Sequence, residues 1–218
     1  MATKKVTPKQ NETVDVIADL NLETITFNIE GIAPLIVSRF DEKSKQQIAE
    51  IGEVEQGLKQ GGKKKNIANP EEQYKNSIYY FDDEKTCGFP AVAFKAAMVT
   101  AAYRTYKRPQ TETRSAFHVL AEGYSKTGTG LIKINGQHRM REDMVRVGGM
   151  NKVASPRYRA EFPVWTATLT IQYLANVISA KEIITLANTA GFTCGVGEWR
   201  PEKSNSGSFG LFRVANTK

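Results

Sequence analysis

The segment from Trp165 to Tyr173 constrains this chain most. Trp165, Ala167, Leu169, Ile171 and Tyr173 alternate with Thr166, Thr168, Thr170 and Gln172. A period of two built from aromatic, aliphatic and β-branched residues predicts a central strand with one face on a core and the other in water. Soon after it, Ser179-Ala180-Lys181-Glu182 forms a capping box, in which the serine hydroxyl accepts from the N3 amide and the glutamate reaches back to the cap. Ile183, Leu186, Ala187 and Ala190 then mark the buried stripe of a helix, and Gly191 is expected to supply its left-handed stop.

The remaining elements follow from the same two periods. Ile25, Phe27 and Ile29 alternate with Thr24, Thr26 and Asn28 in a first strand. Phe94, Ala97, Met98 and Ala101 make the apolar face of a helix that opens after Pro90 and stops at Arg108-Pro109. Ala116 to Ala121 and Leu131 to Ile134 read as short strands joined by a loop, and Phe209 to Val214 as the last strand. Asn69-Pro70-Glu71-Glu72 caps a short helix, while Asp41 to Leu58 has helical composition and runs into a basic loop at Gly61 to Lys65. The strongest elements are strand (23–30), helix (91–106), strand (about 116–121), strand (164–174), helix (179–190) and strand (208–214). That is the β-α-β-β-α-β order of an α+β, ferredoxin-like (RRM-like) core. Both helices would cover one face of an antiparallel sheet, leaving the other open, as in RNA-recognition modules that bind bases there. Residues 1–20 read as a disordered arm, and 21–218 as a single domain with a basic insertion at about 139–160.

Charge is unevenly placed. The chain carries a net +7, yet residues 91–160 hold 13 Lys/Arg against 4 Asp/Glu, leaving 17 against 19 elsewhere. A localised basic excess is the electrostatic footprint of a polyanion partner or of a solvated basic surface. No apolar run approaches the roughly 20 residues of a membrane span, and the polar start predicts no export, so a cytoplasmic protein is expected. Two cysteines, Cys87 and Cys194, and two histidines, His118 and His138, lack ligand spacing, so neither a metal nor a cofactor is expected.

Arg139, Arg141, Arg146, Lys152, Arg157 and Arg159 interleave with Met140, Met144, Met150 and Tyr158 around Gly148-Gly149, the pattern of a projecting basic loop or hairpin that as a cluster suits nucleic-acid contact or a solvated surface. Lys95 and Arg104 on the preceding helix are further candidate phosphate contacts, with a core-edge lysine whose stem packs on the sheet as the alternative for Lys95. The segment Gly195 to Gly210 gathers Gly195, Gly197, Gly207 and Gly210 with Trp199 and Arg200, which suits an anion-binding or groove-shaping loop; Glu198 and Glu202 offset Arg200 and Lys203 there. Trp199 suits base stacking or the core edge, whereas Trp165 belongs to the core. His118 is a candidate acid/base and Glu142-Asp143 a candidate acidic pair, with a structural histidine and internal salt bridges as the alternatives. No nucleophile and base stand at a spacing that specifies catalysis.

The stretch Phe89-Pro90-Ala91-Val92-Ala93-Phe94-Lys95-Ala96-Ala97-Met98 resembles the helix start of the RAMP superfamily, ferredoxin-like proteins that build CRISPR effector complexes. Pro90, Phe94 and Lys95 keep that family's spacing, and the glycines before the last strand resemble its second hallmark. Ala91 and Ala96 stand where the family commonly has Gly, and Val92 and Ala93 replace small hydroxyl residues. As a whole, the chain is similar to an uncharacterised class of small tailed-phage proteins. The resemblance implies a backbone-type subunit, its basic hairpin reaching from one copy to the next along a bound strand. The expectation is a non-catalytic protein that coats single-stranded DNA or RNA as a head-to-tail homo-oligomer in a bacterial host. The alternatives are a metal-independent endoribonuclease of the same fold and a phage structural or protein-binding component.

Overall fold

The computed structural model describes residues 20–39, 69–147 and 153–215. The readings for the N-terminal arm, for 41–65 and for Lys152 fall outside these residues. Of Arg146, only the backbone is described.

The alternating segments form the main sheet. Strands β1 (Leu22–Gly31), β5 (Phe117–Leu120), β10 (Thr166–Leu174) and β11 (Phe212–Val214) assemble in the order β11-β1-β10-β5, every neighbour antiparallel. β1 and β10 pair along their length, with Phe27 opposite Leu169 and Thr26 opposite Thr170, so the two apolar sets face the same way. Helices α2 (Ala91–Tyr106) and α4 (Ala180–Thr193) cover that face. Phe94, Ala97 and Met98 of α2 and Ile183, Leu186 and Ala187 of α4 join Ile29, Leu169 and Ile171 in one buried cluster. The alanines shorten the distance from helix to sheet. Trp165 lies in the core, 1% exposed, and its indole N–H donates to the Ala33 carbonyl at 2.9 Å.

Two smaller sheets flank this unit. One consists of β2 (Leu35–Val37), β9 (Val153–Phe162) and β8 (Arg139–Val147); the other of β3 (Tyr79–Tyr80), β4 (Cys87–Pro90), β7 (Gly130–Lys133) and β6 (Gly123–Tyr124). The helix α1 (Pro70–Ser77) begins as expected, the Asn69 side chain accepting from the Glu71 amide at 3.0 Å. It packs on β9, where Ser77 Oγ accepts from the Ala160 amide at 2.8 Å and so covers the strand edge at the point where β2 ends.

Two expectations are corrected. Gly191 does not stop its helix: α4 continues to Thr193, and Cys194 caps it in right-handed geometry. A Cβ at Gly191 would overlap the Phe212 carbonyl, so this glycine admits β11 against the helix. Ala116, read as the first residue of a strand, is instead the last residue of a short helix α3 (Gln110–Ala116) that starts directly after Pro109. The two short strands read as joined by a loop, β5 and β7, belong to different sheets. Among the described residues, no helix is long and apolar enough to cross a membrane.

Candidate nucleic-acid interface

The basic insertion is a long antiparallel hairpin, β8 paired with β9 from Arg139↔Glu161 to Val147↔Val153. β2 supports only Ala160 to Phe162, so from Arg141↔Arg159 outward the ladder has two strands. The register decides which side chains share a face. Arg141 opposes Arg159 and Asp143 opposes Arg157, while Arg139 opposes Glu161; all six therefore lie on one face. Met140, Glu142, Met144 and Tyr158 lie on the other, as does the register position of Arg146.

Three of the four guanidinium groups meet two carboxylates. Glu161, its side chain only 4% exposed, accepts from Arg139 Nε at 2.7 Å and from Arg141 NH1 at 2.9 Å. Asp143 accepts from Arg141 Nε at 2.9 Å and lies 3.7 Å from Arg159 NH1. Burial opposes ionisation of Glu161, but the two guanidinium hydrogen bonds outweigh it and hold the carboxyl below its ordinary value. Burial likewise opposes the charge on Arg141, and its bonds to Asp143 and Glu161 raise its pKa in spite of that. Arg157 is exposed and forms no ion pair among the described residues. The face retains an excess of two positive charges over its carboxylates. The acidic partner Glu161 carries no motif, and only its place opposite Arg139 gives it this role.

The glycine-rich loop is bound to the hairpin, to β2 and to the turn that precedes β2. Gly195, Gly197 and Gly210 have φ of +65°, +81° and +65°, and Trp199 shares this left-handed region at +55°. A Cβ at Gly207 would overlap the Trp199 carbonyl. The amides of Val196, Glu198, Phe209 and Gly210 donate to the carbonyls of Gly210, Ile36, Trp199 and Pro34. These N–H groups are therefore engaged inside the protein. Arg200 donates to Glu202 at 2.9 Å and to the Gly197 carbonyl at 2.8 Å, and Glu202 accepts from Thr100 of α2 at 3.1 Å. Burial opposes ionisation of Glu202, but those bonds prevail and lower its pKa. Phe209 lies under the Arg141 guanidinium, 4.6 Å from ring centroid to carbon, which ties the loop to the hairpin base. The arrangement is a strut at the hairpin base, with Trp199 at its surface, 38% exposed.

Lys95 and His118, considered separately in the sequence, come together. Lys95 Nζ and His118 Nδ1 lie within hydrogen-bonding distance, 3.0 Å apart. Burial lowers the Lys95 pKa. Arg104 is exposed in the last turn of α2 without an ion pair among the described residues. Asp143 of the acidic pair is an internal salt-bridge partner, and Glu142 stands opposite Tyr158 in the ladder, where, after burial, its charge raises the tyrosine's pKa. A further contact with no sequence signal joins Tyr74 Oη and His138 Nδ1 at 2.6 Å, with the imidazole edge-on to Phe162 at 5.3 Å, and so fastens α1 beside the hairpin.

The open face of the main sheet differs from an RNA-recognition surface. It presents Thr24, Thr26 and Asn28 of β1, Thr168, Thr170 and Gln172 of β10, and His118 and Leu120 of β5, with no Phe, Tyr or Trp among them. Thr26 bonds Thr170 at 3.1 Å and Thr168 bonds Asn28 at 2.9 Å, so several of these polar groups satisfy each other across strands. Stacking of bases needs other aromatic residues.

No family model matches the chain, and no curated protein matches it. Among solved structures, the chain is similar to one described as the cryo-EM structure of the Type III-B Cmr-beta bound to cognate target RNA, at 12% identity and a TM-score of 0.49. That match covers 91% of this chain and 61% of the other, so the chain spans about three fifths of its length. It is also similar to the crystal structure of Cmr6 from Pyrococcus furiosus, at 10% identity and a TM-score of 0.42, covering 90% of this chain and 99% of that one.

Proposed function

We propose that this protein binds single-stranded nucleic acid along the charged face of its β8–β9 hairpin and coats it as a head-to-tail repeating oligomer, without chemistry. One observation carries the reading: the register gathers Arg139, Arg141, Arg157 and Arg159 onto one face, where Asp143 and Glu161 neutralise only part of their charge. A rigid row of guanidinium groups of that kind suits a phosphate backbone and needs no particular base sequence. The sheet order β11-β1-β10-β5, with helices after β1 and β10, supports a ferredoxin-like core. Together with the Pro90 to Lys95 helix start and the glycine-rich segment before β11, it supports a RAMP-like subunit. The likeness of the whole chain to small tailed-phage proteins supports a phage protein acting in a bacterial cytoplasm. A hairpin extending beyond its third strand is the natural reach from one copy to the next, and a contact between unlike surfaces repeats into a filament where the rotation does not close.

The test is fluorescence anisotropy with labelled single-stranded dT and U oligomers over a salt series, followed by electron microscopy of the complexes. Affinity is expected to fall steeply with salt, and Arg157→Glu is expected to reduce the slope by about 0.7 or more for each phosphate that the hairpin no longer neutralises. Salt-independent binding, or unchanged binding by Arg157→Glu together with Arg139→Glu, overturns the reading. The Lys95–His118 contact favours one second reading, a metal-independent ribonuclease. Specific cleavage of labelled RNA by the wild type that disappears in His118→Ala would replace the coat with an enzyme.

A further inference from the structure

The helix layer holds a cleft that the hairpin does not use. Its volume is 560 Å³, and it lies between the last turn of α2 and the first turns of α4. Ala102, Ile178 and Leu186, all buried, provide an apolar lining. Tyr106 lines the cleft too, 52% exposed, and its hydroxyl is held to Thr189 Oγ1 at 2.8 Å. Two cations border it. Arg108 donates through one nitrogen to the Val177 carbonyl at 3.0 Å and lies 3.7 Å from Glu112, with no other acceptor among the described residues. Lys181 is exposed and has no ion pair among them. The Glu182 carboxylate at the cleft is already engaged by the Ser179 amide and hydroxyl at 2.8 and 2.7 Å.

The approach to this cleft repeats the same chemistry. Tyr103, Arg104, Tyr106, Lys107 and Arg108 interleave rings with positive charge along the end of α2, and Tyr103 is as exposed as Tyr106. Lys107 closes the helix at φ +58°, where a glycine would sit without strain. An apolar slot, one fixed aromatic wall and two cations at the rim match a nucleobase with its phosphate, and the volume falls within the range of about 300–1,000 Å³ usual for small-ligand sites. The open sheet face offers no comparable ring.

We propose that this cleft is a nucleotide subsite: it takes one everted base of a single-stranded nucleic acid, stacked on Tyr106, with the phosphate between Arg108 and Lys181. The proposal rests on the reading that the chain binds single-stranded nucleic acid, and it adds a second station on the helix layer.

The experiment separates the two sites with three probes on the full chain. Saturation-transfer NMR with uridine and thymidine monophosphates reads the cleft alone. Anisotropy with a 20-mer oligonucleotide reads the whole surface, and sedimentation reads self-association. Thr185→Trp, which fills the cleft from an exposed position, and Lys181→Glu are compared with Arg157→Glu in the hairpin; circular dichroism checks folding, and Lys181→Glu stands alone if the tryptophan variant fails it. We expect mononucleotide signals in the wild type and in Arg157→Glu, their loss in both cleft variants, and about five- to tenfold weaker oligonucleotide binding by those variants, the loss of one stacked base. Mononucleotide binding that survives while Arg157→Glu leaves oligonucleotide affinity unchanged keeps the cleft and removes the hairpin. No mononucleotide signal, with oligonucleotide binding sensitive only to Arg157→Glu, overturns the cleft alone, and absence of all binding overturns both. Cleft variants that abolish self-association without altering nucleotide signals make this a protein interface and overturn the proposal.

Discussion

Replacing Glu161 by Gln separates the stability of the hairpin base from its charge. The carboxylate is nearly buried and accepts from Arg139 at 2.7 Å and Arg141 at 2.9 Å. An amide keeps one acceptor oxygen, so one of these hydrogen bonds survives in weakened form; Arg141 also retains Asp143 at 2.9 Å. The loss is therefore about one charge-assisted hydrogen bond, roughly 1.5–3 kcal/mol, well short of a fully orphaned ion pair. The effect on binding has the opposite sign: removing a carboxylate from the arginine face leaves more positive charge for phosphates, steepening the salt dependence by up to about 0.7 in log–log slope. Urea denaturation and oligonucleotide anisotropy measure the two effects on the same samples. The folded-state pKa of Glu161 lies below its ordinary 4.5, so its stabilisation is complete above that value and is lost as the pH falls through the folded pKa. The variant lacks this contribution and should show a shallower acid dependence. Equal stability of variant and wild type at neutral pH, or weaker nucleic-acid binding by a fully folded variant, would refute the reasoning.

Two further perturbations test other parts of the structure. Gly210→Ala meets both a left-handed backbone and overlap with the Val196 carbonyl, and is expected to cost more than about 2 kcal/mol, whereas Gly128→Ala, at φ +79° with open space around it, should cost about 1 kcal/mol; equal urea midpoints for the two would show that the loop does not hold its close approach. His138 is kept below its ordinary pKa of 6.5 by burial, so the unfolded chain takes the proton first as the pH falls below 6.5 and stability declines. His138→Gln should flatten that decline as the pH falls below 6.5 in urea titrations, and an unchanged profile would remove burial of His138 as its source.

The elements of the main sheet and its two helices are legible because each has a strong period: two in Glu23 to Glu30 and Trp165 to Tyr173, near 3.6 in Phe94 to Ala101 and Ile183 to Ala190. The capping box at Ser179 forms as its spacing requires, with both reciprocal bonds present. Gly191 misleads because a glycine near a helix end serves either a left-handed stop or a close approach, and only the position of Phe212 distinguishes them. The short helix 110–116 carries too little apolar pattern to announce itself, since its buried residues are Thr113 and Ala116 alone.

For the candidate interface, residue order alone places the arginines in a basic loop or hairpin and a glycine-rich, locally neutral loop before the last strand. It could not determine which arginines share a face. Side chains alternate with period two, so a slip of one residue between β8 and β9 would place Arg139 and Arg141 on the face opposite to Arg157 and Arg159. Tertiary structure decided that register, Arg141↔Arg159 and Arg139↔Glu161, and so turned Glu161 into the carboxylate that holds the row. It also brought Lys95 to His118 and the end of α2 against α4, contacts between residues far apart in the chain for which local periodicity carries no information.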